Sequence, residues 1–168
     1  LYVGSGFKRK GEEEFLRIVA MLKTKGVKAF VVGKENNMSY YQNLSKKLNI
    51  DNQIFFTGPR VDIDDFYTIS DIFLFPTHYD PFSNVVLEAM YFDNAVFTTR
   101  SNGASEILDR NFIMDIPYDK KVAVSIDNLI NNKASLNAVK NMNKKKSKRF
   151  SIEKNLKQTL EVINKIEY

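Results

Sequence analysis

The chain has 168 residues, 43% of them hydrophobic, enough for one domain that buries most of its surface around a single core. It contains no cysteine, which excludes a disulfide framework and a Cys-based zinc site and permits a reducing compartment; its longest apolar runs, about five residues, fall far short of the ~20 needed to span a bilayer. The formal charge of +5 owes much to one run, Lys144-Lys145-Lys146-Ser147-Lys148-Arg149. Nucleic-acid binders spread cations over a groove or interleave them with aromatic residues, so the compact cluster reads as a solvated helix end. Attraction to an anionic leaflet is the lesser reading, and nucleic acid is not an expected partner.

The chain opens on Leu1-Tyr2-Val3-Gly4, without Met and without a basic, apolar leader, and is expected to be a fragment of a longer protein. Leu1-Tyr2-Val3 reads as a strand. A helix follows in which Phe15, Ile18, Val19 and Leu22 recur at helical spacing behind Glu12-Glu13-Glu14, acids suited to the positive end of a helix dipole. Next come a strand at Ala29-Phe30-Val31-Val32, a helix with Tyr40, Leu44 and Leu48 on its inner face, a strand at Ile54-Phe55-Phe56, and a short helix holding Phe66 and Ile69 that Asp62 and Asp65 can cap. Further strands are Ile72-Phe73-Leu74-Phe75, Ala95-Val96-Phe97-Thr98 and Phe112-Ile113-Met114. Apolar runs alternating with helix-period segments predict an α/β domain built on a parallel sheet of about six strands. After Pro117 only helix signals remain: Val122, Ile126, Leu129 and Ile130 on one face, then Ile152, Leu156, Leu160, Ile163 and Ile166 on another, with Ser151 as N-cap. No linker divides the chain, so residues 1–168 are expected to form one domain.

In an open parallel sheet, ligands bind beyond the carboxyl ends of the strands. The first such loop is Gly4-Ser5-Gly6-Phe7-Lys8-Arg9-Lys10-Gly11, where glycines allow close backbone approach and three cations suit a phosphate; the same segment also reads as an ordinary βα turn. The fourth strand ends at Pro76-Thr77-His78-Tyr79-Asp80-Pro81-Phe82, and the helix after Ser83-Asn84 is apolar nearly all round except for Glu88. A buried carboxylate needs a partner. That partner is either a structural donor or a pair of ligand hydroxyls, and Glu88 lies roughly 7 Å along the helix axis, within reach of a ribose whose phosphates sit on the helix N-terminus. His78, the single histidine, reads as a solvated residue; Glu106 serves equally as a helix-start acid or a ligand contact. Phe73, Phe75, Phe82 and Tyr91 read as core.

The stretch from Pro76 to Met90, with Asp80 followed eight positions later by Glu88, resembles the acid-x7-Glu signature of retaining GT-B glycosyltransferases of family 4, also called group 1. Lys10-Gly11, Val31-Val32-Gly33, Phe55-Phe56-Thr57-Gly58, Ser70 to Thr77 and Thr99 to Glu106 continue the resemblance in order over nearly the whole chain. The loop from Gly4 to Gly11 is similar to that of lipopolysaccharide-core glucosyltransferases. The resemblance implies a Rossmann-like domain, the C-terminal, donor-binding half of a GT-B enzyme whose N-terminal acceptor domain is absent from this chain, so that the fragment alone is inactive. It implies Lys10, with Gly6 and Lys8, on the diphosphate, supported by the amides around Ser83, Asn84 and Val85. Glu88 would hold the ribose, Asp80 the donor sugar, and Arg60 would lie beside the base; Asp80 and Glu88 are the acids tied to catalysis. No metal or other cofactor is implied, because lysine and the helix dipole neutralise the diphosphate. The implied partners are a nucleotide sugar and, through the missing domain, a surface-glycan, lipopolysaccharide or lipid-linked acceptor, met in the cytoplasm or at the cytoplasmic face of the membrane.

Four positions depart from the family pattern: Asp80 where Glu is usual, Ser83 where Gly is usual, Ser5 where many members carry Arg, and Asn102 for the first of two glycines. The shorter acid leaves room for a catalytically silent nucleotide-sugar-binding module.

Overall fold

The computed structural model describes residues 1–166, except the side chains of Phe7 and Ile152. In chain order the elements are β1 (Tyr2–Val3), α1 (Phe7–Lys10), α2 (Glu12–Val19), β2 (Ala29–Val32), α3 (Met38–Lys47), β3 (Ile54–Gly58), α4 (Ile63–Ile69), β4 (Ile72–Phe75), α5 (Asn84–Tyr91), β5 (Ala95–Thr99), β6 (Ile113–Met114), α6 (Lys120–Ile130), α7 (Lys133–Ser147) and α8 (Ile152–Ile166). All six expected strands are present.

They pair in parallel as two ladders, β1-β2-β3 and β4-β5-β6. The ladders meet at Leu1, whose carbonyl accepts from the Leu74 amide at 3.0 Å and whose nitrogen donates to the Ile72 carbonyl at 2.8 Å. The spatial order is therefore 3-2-1-4-5-6, with its reversal between β1 and β4. Every residue of β5 is buried, as expected for a parallel strand covered on both faces. Phe15, Leu16, Ile18 and Val19 of α2, Val86, Ala89 and Met90 of α5, and Val122, Ala123 and Ile126 of α6 close over the sheet.

Several expectations are corrected. On α3 the buried tyrosine is Tyr41, while Tyr40 faces out and donates to Glu13 Oε2 at 2.6 Å. On α4 Tyr67 is the buried residue and Ile69 is exposed; Asp62 takes the Arg60 guanidinium in two hydrogen bonds, 2.8 and 2.6 Å, and makes no side-chain cap. Phe73 and Phe75 are core, but Phe82 and Tyr91 are exposed. Helix α7 has no apolar period to announce it, and it is held across α5 and β5 by polar contacts, among them Asn143 Nδ2 to the Asn94 carbonyl at 2.9 Å. The basic cluster does fall at the end of that helix, yet Lys144 and Lys146 are paired with Asp93 and Asp109. Ser151 accepts from the Lys154 amide at 3.2 Å, as an N-cap should. The apolar side chains of α8 that follow, Leu156, Leu160, Ile163 and Ile166, are exposed.

One of the three acids read as complementing the α2 dipole lies instead in the core. Glu12 opens α2 fully buried, and among the described residues neither of its carboxyl oxygens has a hydrogen-bond partner. Burial, reinforced by the charge of Glu35, pushes this carboxyl up to about 9. An unfolded chain releases that proton near the ordinary value of 4.5, so between these values the folded state binds more protons and stability declines as pH rises, by up to about 1.4 kcal/mol per pH unit. Glu12→Met should therefore stabilise the protein by about 1–3 kcal/mol at neutral pH. Denaturant titrations from about pH 5.5 to 8.5 should show the gain widening with pH; a gain independent of pH would mean that Glu12 titrates normally.

Candidate functional site

At the reversal between β1 and β4 the loops leaving the two strands diverge and open a crevice, the usual ligand position in such a sheet. Here they are also stitched together. The His78 amide donates to the Arg9 carbonyl at 3.0 Å, Arg9 Nη1 donates to the Tyr79 carbonyl at 2.8 Å, and the Thr77 hydroxyl lies 3.1 Å from both of those carbonyls. Gly11 makes this approach possible: its φ is 79°, and a Cβ there would stand 1.9 Å from the Pro76 carbonyl oxygen.

The result is that Lys10 and Asp80, seventy residues apart, form an ion pair. Lys10 Nζ also lies 5.3 Å from the centre of the buried Phe75 ring, an arrangement that favours a cation. Asp80 is 5% exposed. Burial works to raise its pKa, but Lys10, the Ser83 side chain and the Phe82 amide, which donates to Oδ1 at 3.2 Å, together outweigh burial and hold it below the ordinary carboxylate value. Beside the pair, a cleft of about 630 Å³ is lined by Gly6, Lys8, Arg9, Glu35 and His78. His78 Nε2 lies 2.8 Å from Glu14 Oε1, half-exposed at the rim.

Helix α5 starts directly after the strap of residues from Asp80 to Ser83. Ser83 is buried, its amide donates to Asn102 Oδ1 at 3.3 Å, and Asn84 and Val85 follow in the first turn, where amides lack intrahelical acceptors. Glu88 departs from expectation: it is exposed, and its Oε2 accepts a 2.9 Å hydrogen bond from the Tyr67 hydroxyl. The helix is apolar where it meets the sheet and α7, but the carboxylate looks outward, so burial does not explain it. Burial and the nearby Glu88 charge push the Tyr67 phenol well above its usual value, which keeps it a donor. The structure thus brings Gly6, Lys8, Lys10, Asp80, Ser83, Asn84 and Val85 to the loops and helix start at the β1/β4 crevice, while Glu88 lies further along α5 against Tyr67. Arg60 is instead taken up by Asp62 and by the Phe66 ring, 5.7 Å away.

Two residues with a part in the site carry no functional signal in the sequence. Tyr67 is hidden because its partner comes from another element. Asn102 stands out only as a departure from a glycine, in an Asn-Gly pair that reads as a turn, although its fully buried side chain links β5, α5 and the segment after Gly103.

Residues 1–148 match the family described as glycosyl transferases group 1. The chain belongs to that family. This group 1 domain is 32% identical over 143 residues to the capsular polysaccharide biosynthesis glycosyltransferase CapM of Staphylococcus aureus, covering 79% of the chain and 37% of the relative. It is 24% identical over 131 residues to the lipopolysaccharide core biosynthesis glycosyltransferase LpsE of Rhizobium meliloti (strain 1021), covering 76% of the chain and 38% of the relative. The chain thus spans less than two fifths of the length of either. Among solved structures, Anabaena Alr3699/HepE in complex with UDP-glucose superposes with a TM-score of 0.85 at 21% identity, over 98% of the chain and 48% of that structure, which establishes the GT-B glycosyltransferase fold.

Two glycines separate conformational strain from steric conflict. Gly26 has φ 77° with no atom within 4 Å of the place a Cβ would take, whereas Gly11, at φ 79°, faces the Pro76 carbonyl. Gly26→Ala should cost about 1 kcal/mol. Gly11→Ala should cost distinctly more in chemical denaturation and should part Lys10 from Asp80. Equal costs would show that the two loops are not pressed together.

Proposed function

We propose that this chain is the donor-binding domain of a retaining glycosyltransferase that moves a hexose from a nucleotide sugar to a surface-glycan or glycoconjugate acceptor. The observation that carries this reading is the meeting of Lys10, Asp80 and the start of α5 at the β1/β4 reversal. A diphosphate entering there is met by a cation on one side and by free helix amides on the other. As it takes Lys10, Asp80 is released from the ion pair and becomes an acceptor for hydroxyls of the attached sugar. Glu88, steadied by Tyr67, accepts from the ribose, and the loop carrying Arg60 flanks the base.

Lysine and the helix dipole supply the neutralisation of the leaving diphosphate, so no metal is required. Among the described residues no group of three or more His, Cys, Asp or Glu is arranged to hold a metal ion. The leaving diphosphate then serves as base for attack on the same face of the sugar, which retains the anomeric configuration. The UDP-glucose named for the HepE complex makes UDP-glucose the first donor to try. The acceptor is held by a second, N-terminal domain, and the isolated chain transfers no sugar. A nucleotide-sugar donor puts the reaction in the cytoplasm, at the membrane face when the acceptor is lipid-linked; among the described residues no helix is long and apolar enough to cross a membrane.

Calorimetry on the full-length protein tests these assignments. UDP should bind equally with EDTA or with added Mg²⁺, and binding that needs the metal would refute the metal-free site. Glu88→Gln should weaken UDP and UDP-glucose alike, roughly tenfold or more, since a charge-assisted hydrogen bond is worth ~1.5–3 kcal/mol. Asp80→Asn should weaken only UDP-glucose and slow transfer. Turnover and affinity untouched by Asp80→Asn would favour a catalytically silent module.

A further inference from the structure

Asn102 is 0% exposed and so is closed to any ligand in the crevice, yet its side chain joins three elements. Its Oδ1 accepts from the Ser83 amide at 3.3 Å and the Ala104 amide at 3.1 Å, and its Nδ2 donates to Thr98 Oγ1 at 3.0 Å. The direction of every bond is fixed by chemistry. Backbone amides can only donate, so the oxygen must face them; the Thr98 hydroxyl proton is committed to the Phe75 carbonyl at 2.8 Å, so its oxygen is left to accept. A carboxylate or an aliphatic side chain cannot satisfy both ends.

The backbone on either side of Asn102 grips Asp80. The Asp80 amide donates to the Ser101 carbonyl at 3.1 Å, the Gly103 amide donates to the Asp80 carbonyl at 2.9 Å, and Asp80 and Asn102 form an isolated parallel bridge. Gly103 is pressed so closely that a Cβ would stand 1.9 Å from the Pro81 carbonyl oxygen. The strap from Asp80 to Ser83 is therefore anchored at its start by backbone and at its end by the Asn102 amide. Helix α5 beyond it is fixed independently by buried Val86, Ala89 and Met90.

We propose that Asn102 is a positioning residue for donor discrimination: it sets where the Asp80 carboxylate stands relative to the start of α5, and so how well the protein distinguishes a nucleotide sugar from the nucleoside diphosphate. The inference rests on the donor-site reading above. Losing the Asn102 side chain unpins the Ser101–Gly103 backbone that grips Asp80, because its bonds to Thr98 and Ala104 hold that turn in place, and it releases the Ser83 end of the strap as well; α5 stays fixed by its buried face, so Asp80 shifts away from the sugar while the diphosphate keeps Lys10 and the α5 amides.

The test measures affinities of the full-length protein for UDP and UDP-glucose by calorimetry. Asn102→Ala should weaken UDP-glucose about tenfold while leaving UDP within about twofold. Thr98→Val, which keeps the core volume and leaves the Asn102 side chain in place but removes the acceptor for its Nδ2 together with the hydroxyl's own bond to the Phe75 carbonyl, should shift the same ratio in the same direction, and it decides the matter if Asn102→Ala does not fold. A ratio unchanged in the variant that folds, whether both affinities fall together or neither moves, would overturn the proposal and leave Asn102 a structural residue. Failure of the unsubstituted protein to bind either ligand would overturn the donor-site reading, and this inference with it.

Discussion

Everything at the candidate site depends on how closely the loop after β1 can approach the loop after β4. Two parallel strands at a reversal of sheet order send their connections to opposite faces, which opens a crevice but does not close it to a ligand's width. The missing Cβ of Gly11 lets the backbone of one loop lie against the Pro76 carbonyl of the other, and the hydrogen bonds of Arg9, Thr77 and His78 hold that contact. Lys10 and Asp80 are then brought together as a consequence of backbone geometry. The same device recurs at Gly103 against Pro81, so both ends of the segment carrying Asp80 are placed by main chain rather than by long side chains.

Charge is arranged in two layers around this junction. In the crevice, Lys10 and Asp80 neutralise one another, while Lys8 and Arg9 line the open cleft beside Glu35, with Glu14 at the rim against His78. Beneath it, Glu12 has no partner among the described residues and stays protonated over a wide pH range, so a carboxyl directly after Gly11 adds little negative charge to the site. Ionised, it would oppose a diphosphate at Lys10.

The strands are legible in the sequence because each is a short apolar run bounded by a change in the residue pattern, as at β2 and β4, and this holds even for β3, which leaves Phe55 exposed. Helix α7 is not legible: its buried residues include Asn143 and Ser147, and it is held by hydrogen bonds and ion pairs that exist only after the chain has folded. Tyr40 and Tyr41 exchange places for a similar reason, since Glu13 on another helix draws the first outward. In the site, Lys10, Asp80 and Ser83 are readable from glycines, acids and a helix start in sequence. Glu88 is exposed where the sequence reads as buried, because period and composition describe a helix's apolar neighbours and not its open side. Asn102 escapes because an Asn-Gly pair signals a turn whether or not its amide is buried.

The pairing of α7 alters how the basic run looks to anything outside the protein. Lys140, Lys144 and Lys146 are matched with Asp71, Asp93 and Asp109, which stand just ahead of β4, β5 and β6. A distant anion therefore senses chiefly Lys145, Lys148 and Arg149, which are exposed, and three unit charges on a surface fade within about 8 Å at physiological ionic strength. Three of the run's five cations thus set its effective charge, and the other two, together with Lys140, fasten the amino ends of three strands, on the side of the sheet opposite the crevice.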